Sequence, residues 1–226
     1  MPQRLSFTAR TTPSSPGTGR GTWSRTFPAR ACGSSPREHL LGTGNVDALA
    51  DEIEEFLTGV RPAPEPDRVL ATVLFTDLVG STCLTVELGD RAWRERLDQH
   101  DELCRHEVEG HHGRHVKATG DGVLATFDGP ARAVRCALAI VDGVRTLGLE
   151  ARAGLHTGEV ELRGDDVGGI AVHIAARVMQ PARPSEVWVS QTVPLLVAGS
   201  GIAFEERGQH ELKGVPGRWH LFAVTR

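Results

Sequence analysis

No run of about 18 apolar residues occurs in this 226-residue chain, so the sequence offers no membrane-spanning helix. The start of the chain also lacks the continuous apolar core of a secretory signal, and the expectation is a cytoplasmic protein with no membrane partner. Positive charge is not in excess: the formal charge is −4, which argues against the basic field of a nucleic-acid binder. The four cysteines, Cys32, Cys83, Cys104 and Cys136, show no CxxC spacing, and a chain of this length needs no disulfides to hold its core. There is no Walker-type glycine loop and no GxSxG elbow. His106, Glu107 and His111 miss the HExxH spacing by one residue, and the His111, His112, His115 cluster lacks a second ligand group at a zinc-like interval.

What remains is one ordinary domain preceded by different material. Residues 1–44 hold six arginines against the single Glu38, and they are rich in Ser, Thr, Pro and Gly without apolar periodicity. Such a composition predicts a disordered segment. Val46, Leu49, Ile53 and Phe56/Leu57 then recur at helical spacing until Gly59 and Pro62, and a Pro-rich linker runs to residue 67. Residues 68–226 form the body.

The body opens with a β-rich apolar run over residues 69–76 that predicts a buried central strand ending at Asp77. A helix follows with Trp93, Leu97, Cys104 and Val108 on one face. Residues 115–119 and 123–127 read as a β-hairpin around Thr119-Gly-Asp121-Gly122. A second amphipathic helix spans 130–147, and 151–156 with 159–162 read as another strand pair broken at Thr157 and Gly158. A last helix starts near Gly169 with Ile170, Ile174 and Val178 as its apolar stripe, and strands are expected at 186–190, 202–206 and 219–224. This order predicts an α+β domain, with helices covering one face of a mainly antiparallel sheet.

Asp77 at a strand end and Asp121 at a hairpin tip stand where a metal cage can form. Singly, each reads as readily as a turn residue, Asp77 before a helix capped by Ser81 or Thr82. Lys117 on the inbound strand is a solvated edge charge or a donor to a purine ring. His173 and Arg177 share a helix flank, and an arginine beside developing charge is a common device in phosphoryl transfer.

Together, Phe75-Thr-Asp77-Leu-Val-Gly-Ser-Thr82, Lys117-Ala-Thr-Gly-Asp121-Gly, Arg152-Ala-Gly-Leu-His-Thr-Gly158 and Asp166…Ala-Ala-Arg177 resemble the class III adenylate and guanylate cyclase family, in order, over about residues 68–226. The resemblance implies a ferredoxin-like βααββαβ core acting as a head-to-tail homodimer on ATP. It implies that Asp77 and Asp121, with the Leu78 carbonyl, hold two Mg²⁺ or Mn²⁺ ions. It assigns Lys117 and Asp166 of the partner chain to adenine, Arg177 to the α-phosphate, and Arg152 and Lys213 to the triphosphate. The family usually has Asn where this chain has His173, a position that orients the ribose. That departure motivates an alternative, a nucleotide-binding regulatory module of the same fold with little turnover. Arg37-Glu-His39-Leu and the helix after it resemble the end of an α/β-hydrolase domain that precedes some bacterial cyclase domains, without its sheet or nucleophile.

Overall fold

The computed structural model of the chain describes residues 53, 55–59 and 67–225. It divides into two units, Met1–Pro62 and Ala63–Arg226. In the first, residues 55–58 are helical, and the turn closes at Gly59, whose N–H donates to the Glu55 carbonyl at 2.9 Å with φ +70. Arg37 and His39, with their hydrolase resemblance, lie outside the described residues.

The second unit begins with β1 (Arg68–Leu78), then α1 (Ser81–Leu88), α2 (Asp90–Gly110), β2 (Arg114–Ala118), β3 (Val123–Phe127), α3 (Pro130–Thr146) and β4 (Ala151–Arg163). That is the βααββαβ order. The chain continues through β5 (Asp166–Gly168), α4 (Ile170–Met179), β6 (Val187–Ser190), α5 (Thr192–Leu196), β7 (Ala203–Glu211) and β8 (Arg218–Thr225). The strands make one eight-stranded sheet in the order β2-β3-β1-β4-β6-β8-β7, with β5 paired to β4. Among the described residues only the β4–β6 pairing is parallel.

Alternation along the strands divides the core between the two faces of the sheet. Leu74 and Leu78 of β1, Ala125 and Phe127 of β3 and Leu155 of β4 meet α2 and α3, which bury Cys104, Val108, Val134, Ile140, Val141 and Val144. Each Leu, Ile, Val and Phe among them contributes roughly 1.5–3 kcal/mol of burial. Ala71 and Val73 of β1, with Leu124 and Val160, point the other way and pack on Ala171 and Ala175 of α4. Helices were expected on one face; α2 and α3 occupy it, and α4 in addition covers part of the reverse. The cause is the unbroken β1 run, apolar at odd and even positions alike, which leaves both faces to be covered.

Three local expectations change. Residues 151–163 are one strand and not a pair, because Gly158 stays extended and pairs with Ala71. Glycine serves there by its lack of a side chain: a Cβ would lie 3.2 Å from the Ala171 Cβ of α4. Asp77 lies inside β1, which runs on to Leu78, and no side-chain cap forms on α1, whose N-cap is Gly80 at φ 73. Ile170 is 54% exposed, and the buried stripe of α4 is Ala171, Ile174, Ala175 and Val178. On α2, His100 joins the buried face, sharing contacts with Asp101 Oδ1 at 3.0 Å and Cys104 Sγ at 3.4 Å. Burial pushes the Cys104 and Cys136 thiols up to about 12, which keeps them unreactive. Among the described residues no helix is long and apolar enough to cross a membrane.

Two predictions follow from the α4 face. A Cβ at Gly154 would meet the backbone of Met179, with Cα at 2.6 Å, and backbone cannot rotate aside. Gly154→Ala should therefore lower unfolding stability in urea by roughly 1–3 kcal/mol without changing the m-value. Close by, His156 is buried, shares a 2.7 Å hydrogen bond between Nδ1 and Ser190 Oγ, and packs edge-on against Trp219. Desolvation pushes its pKa down from 6.5 to about 4. Between those values the unfolded chain binds the proton and the folded chain does not, so stability falls as pH falls from about 6.5 to about 4. His156→Gln should remove that part of the slope, on the order of 3 kcal/mol across the window, in denaturation curves taken at several pH values.

Candidate active site

Antiparallel pairing of β1 with β4 sets Asp77 opposite Arg152. Arg152 donates from Nε and Nη2 to the same oxygen, Asp77 Oδ2, at 3.0 and 2.6 Å, and from Nη1 to the Gln180 carbonyl at 3.1 Å. Gln180 is the residue at the C-cap of α4. One guanidinium thus fastens a β1 acid, β4 and the end of α4.

The β2–β3 turn is laid against the end of β1. Thr119 N–H donates to the Gly122 carbonyl at 2.8 Å, Val123 N–H to Thr76 Oγ1 at 3.1 Å, and Leu78 N–H to the Asp121 carbonyl at 3.2 Å. Gly122 is required for this approach, because a Cβ there would overlap the Thr76 carbonyl. The turn thereby sets the Asp121 carbonyl on the N–H of Leu78, the residue that follows Asp77. Two carboxylates and a backbone carbonyl are hard oxygen donors, the set that suits Mg²⁺ or Mn²⁺. Among the described residues no group of three or more His, Cys, Asp or Glu converges.

Lys117 stands at the irregularity of the β2–β3 register and donates to Asp166 Oδ2 at 2.6 Å. The other carboxylate oxygen of Asp166 accepts from Val167 N–H at 2.8 Å. The Lys117 hydrogen bond first, and the Val167 N–H second, hold the Asp166 carboxyl below the usual carboxylate range. Of the two adjacent acids, Asp166 is the one at the lysine. Asp165 is fully exposed and, among the described residues, reaches only Arg114, at 3.6 Å.

On α4, His173 is exposed, and Arg177 donates from Nε to the Lys213 carbonyl at 3.1 Å. Arg177, Gln180, His210, Glu211 and Lys213 line a cavity of about 260 Å³. The structure therefore forms two groupings. In one, Asp77, Arg152 and Gln180 lead to the cavity with Arg177 and Lys213; in the other, Lys117 meets Asp166. Among the described residues no hydrogen bond or ion pair joins them. Sequence reasoning missed Thr76, Gln180, His210 and Glu211. The Thr76 hydroxyl accepts from a main-chain N–H and the Gln180 carbonyl from a guanidinium, both between distant elements, and no spacing signals such contacts.

A family model described as the adenylate and guanylate cyclase catalytic domain matches residues 64–225. A pH-sensitive adenylate cyclase of Mycobacterium tuberculosis is 32% identical over 188 residues, covering 77% of this chain and 46% of that protein. The chain spans under half the length of the curated relatives it matches. Among solved structures, the adenylyl cyclase CyaB from P. aeruginosa superposes with a TM-score of 0.67 at 23% identity, over 72% of this chain and 96% of that one. The guanylyl cyclase Cya2 superposes with a TM-score of 0.60 at 26% identity, over 70% and 93%. With four motifs, their geometry and these likenesses in agreement, the chain belongs to the class III adenylate and guanylate cyclase family.

Proposed function

We propose that the domain is an adenylate cyclase that converts ATP to 3′,5′-cyclic AMP and pyrophosphate in a site shared by two copies of the chain. The Lys117–Asp166 contact carries the choice of base. A cationic donor and an anionic acceptor are fixed side by side, the acceptor pinned by Val167 N–H. Adenine offers a ring-nitrogen acceptor beside an exocyclic amine donor, and guanine presents the reverse order on that edge. Lys117 would donate to the ring nitrogen and Asp166 accept from the amine.

In this reading the ribose 3′-hydroxyl gives up its proton to solvent and attacks the α-phosphorus, the new P–O bond closes the ring, and the bond from the α-phosphorus to the bridging oxygen breaks as pyrophosphate leaves. Asp77, Asp121 and the Leu78 carbonyl would hold two Mg²⁺ or Mn²⁺ ions, which supply a lowered hydroxyl pKa and neutralisation of phosphate charge. Arg177 stabilises charge gathering on the α-phosphate, and Lys213, across the same cavity, complements the leaving pyrophosphate. His173 has a hydrogen-bonding imidazole at the position of the ribose-orienting Asn. Separation of the Lys117–Asp166 grouping from the Asp77–Arg177 grouping supports a homodimer in which each chain completes the other's site. ATP as substrate fits a cytoplasmic setting, and the reading needs neither nucleic acid nor membrane.

His173 favours one second reading, a nucleotide-binding module of low turnover. Cyclic AMP formation with Mn²⁺ separates the two. The cyclase reading expects specific activity that rises with protein concentration, exceeds that on GTP at least tenfold and falls at least a hundredfold in Asp121→Ala, in line with loss of charge stabilisation. Metal-dependent ATP binding without product would support the module, and faster turnover of GTP would overturn the choice of base.

A further inference from the structure

Arg152 commits all three guanidinium nitrogens to its own chain, two to Asp77 Oδ2 and one to the Gln180 carbonyl. We propose that Arg152 is a positioning residue whose guanidinium competes with a divalent cation for Asp77, and that this competition links cation binding to the end of α4. The proposal rests on Asp77 being a metal ligand.

Directly opposite strand positions make the contact a fixed cross-strand pair. The guanidinium grips one oxygen twice, where an arginine fork more often spans both oxygens of a carboxylate. Among the described residues Oδ1 takes no hydrogen bond, so that oxygen stays open to a second cation while Oδ2 stays held. A divalent ion on Oδ1 would lie within a few ångströms of the guanidinium. Like charges at that range repel, and at this partly exposed site, with side chains 31% and 24% accessible, solvent moderates the repulsion without removing it.

A triphosphate changes the balance. Its anionic oxygens offer the guanidinium an alternative partner and offer the cation further ligands, so ion and nucleotide should bind with positive coupling. Because the same side chain holds Gln180, and Arg177 lies three residues earlier on α4, an exchange of partners at Asp77 loosens the anchor of the helix that carries Arg177. Arg152 thereby makes the Asp77 side of the site responsive to substrate and not to free cation alone.

The test is Mn²⁺ binding to the full chain, followed by the electron paramagnetic resonance signal of free Mn²⁺, with and without a non-cyclisable ATP analogue. Without nucleotide, R152Q should bind Mn²⁺ roughly two- to fivefold more tightly than wild type, as a partly exposed charge pair of this kind allows. With the analogue, that advantage should disappear. R152K keeps the charge and loses the fork, so its Mn²⁺ affinity should stay within about twofold of wild type, while amide exchange at residues 177–182 becomes faster. If D77N abolishes Mn²⁺ binding but R152Q binds no more tightly than wild type, the proposal fails and the metal reading stands. Binding that D77N leaves unchanged overturns the metal reading and the proposal with it. Exchange in R152K equal to wild type contradicts the link to α4.

Discussion

The antiparallel register of β1 on β4, from Arg68 opposite Glu161 to Leu78 opposite Ala151, is the constraint on which the rest depends. A strand slipped by one residue presents every side chain to the other face. With such a slip Asp77 would turn toward α2 and α3, Arg152 would lose its partner, and Leu78 would leave the core. The register is held by burial on both sides, Leu74 and Leu78 on one face and Ala71 and Val73 on the other. The position of the Asp77 carboxylate is therefore a consequence of packing.

Close approach then does for the helices what register does for the strands. Gly154 and Gly158 are two small positions on the α4 face of β4, four residues apart, and α4 lies against both, through Met179 and Ala171. Side chains there would lift the helix from the sheet and carry Arg177 and His173 with it. Gly122 has the same role at the β2–β3 turn, where the hairpin tip lies on the Thr76 carbonyl. In each place the absence of a Cβ decides where a functional group ends up.

Much of this was legible in the sequence, for physical reasons that differ from element to element. The Thr119–Gly122 turn carries its own conformational chemistry, and the helices over 90–110 and 130–146 show strong 3.6-residue periodicity, so their places could be read locally. The candidate site residues Asp77, Asp121, Lys117, Asp166 and Arg177 stand out in the sequence because they sit in short motifs. Glycine misled the reading at Thr157-Gly158: it usually signals a break, and here it serves a close approach within a straight run. Ile170 misled it too, since apolar periodicity cannot tell a stripe facing the core from one that continues onto the surface. Nor could spacing disclose the contact from Arg152 to the Gln180 carbonyl, which joins a strand to the end of a helix 28 residues later through main chain.

Two groupings of candidate site residues, with no hydrogen bond or ion pair between them among the described residues, put the central claim on assembly. The most direct measurement mixes two defective chains, Asp121→Ala and Lys117→Glu, each nearly inactive alone, and follows cyclic AMP formation. If each site takes its metal carboxylates from one chain and its base-reading pair from the other, half the dimers are mixed and each has one intact site. The mixture should then recover about a quarter of wild-type activity. A mixture no more active than its components, with the mixed dimer shown to form, would contradict the shared site.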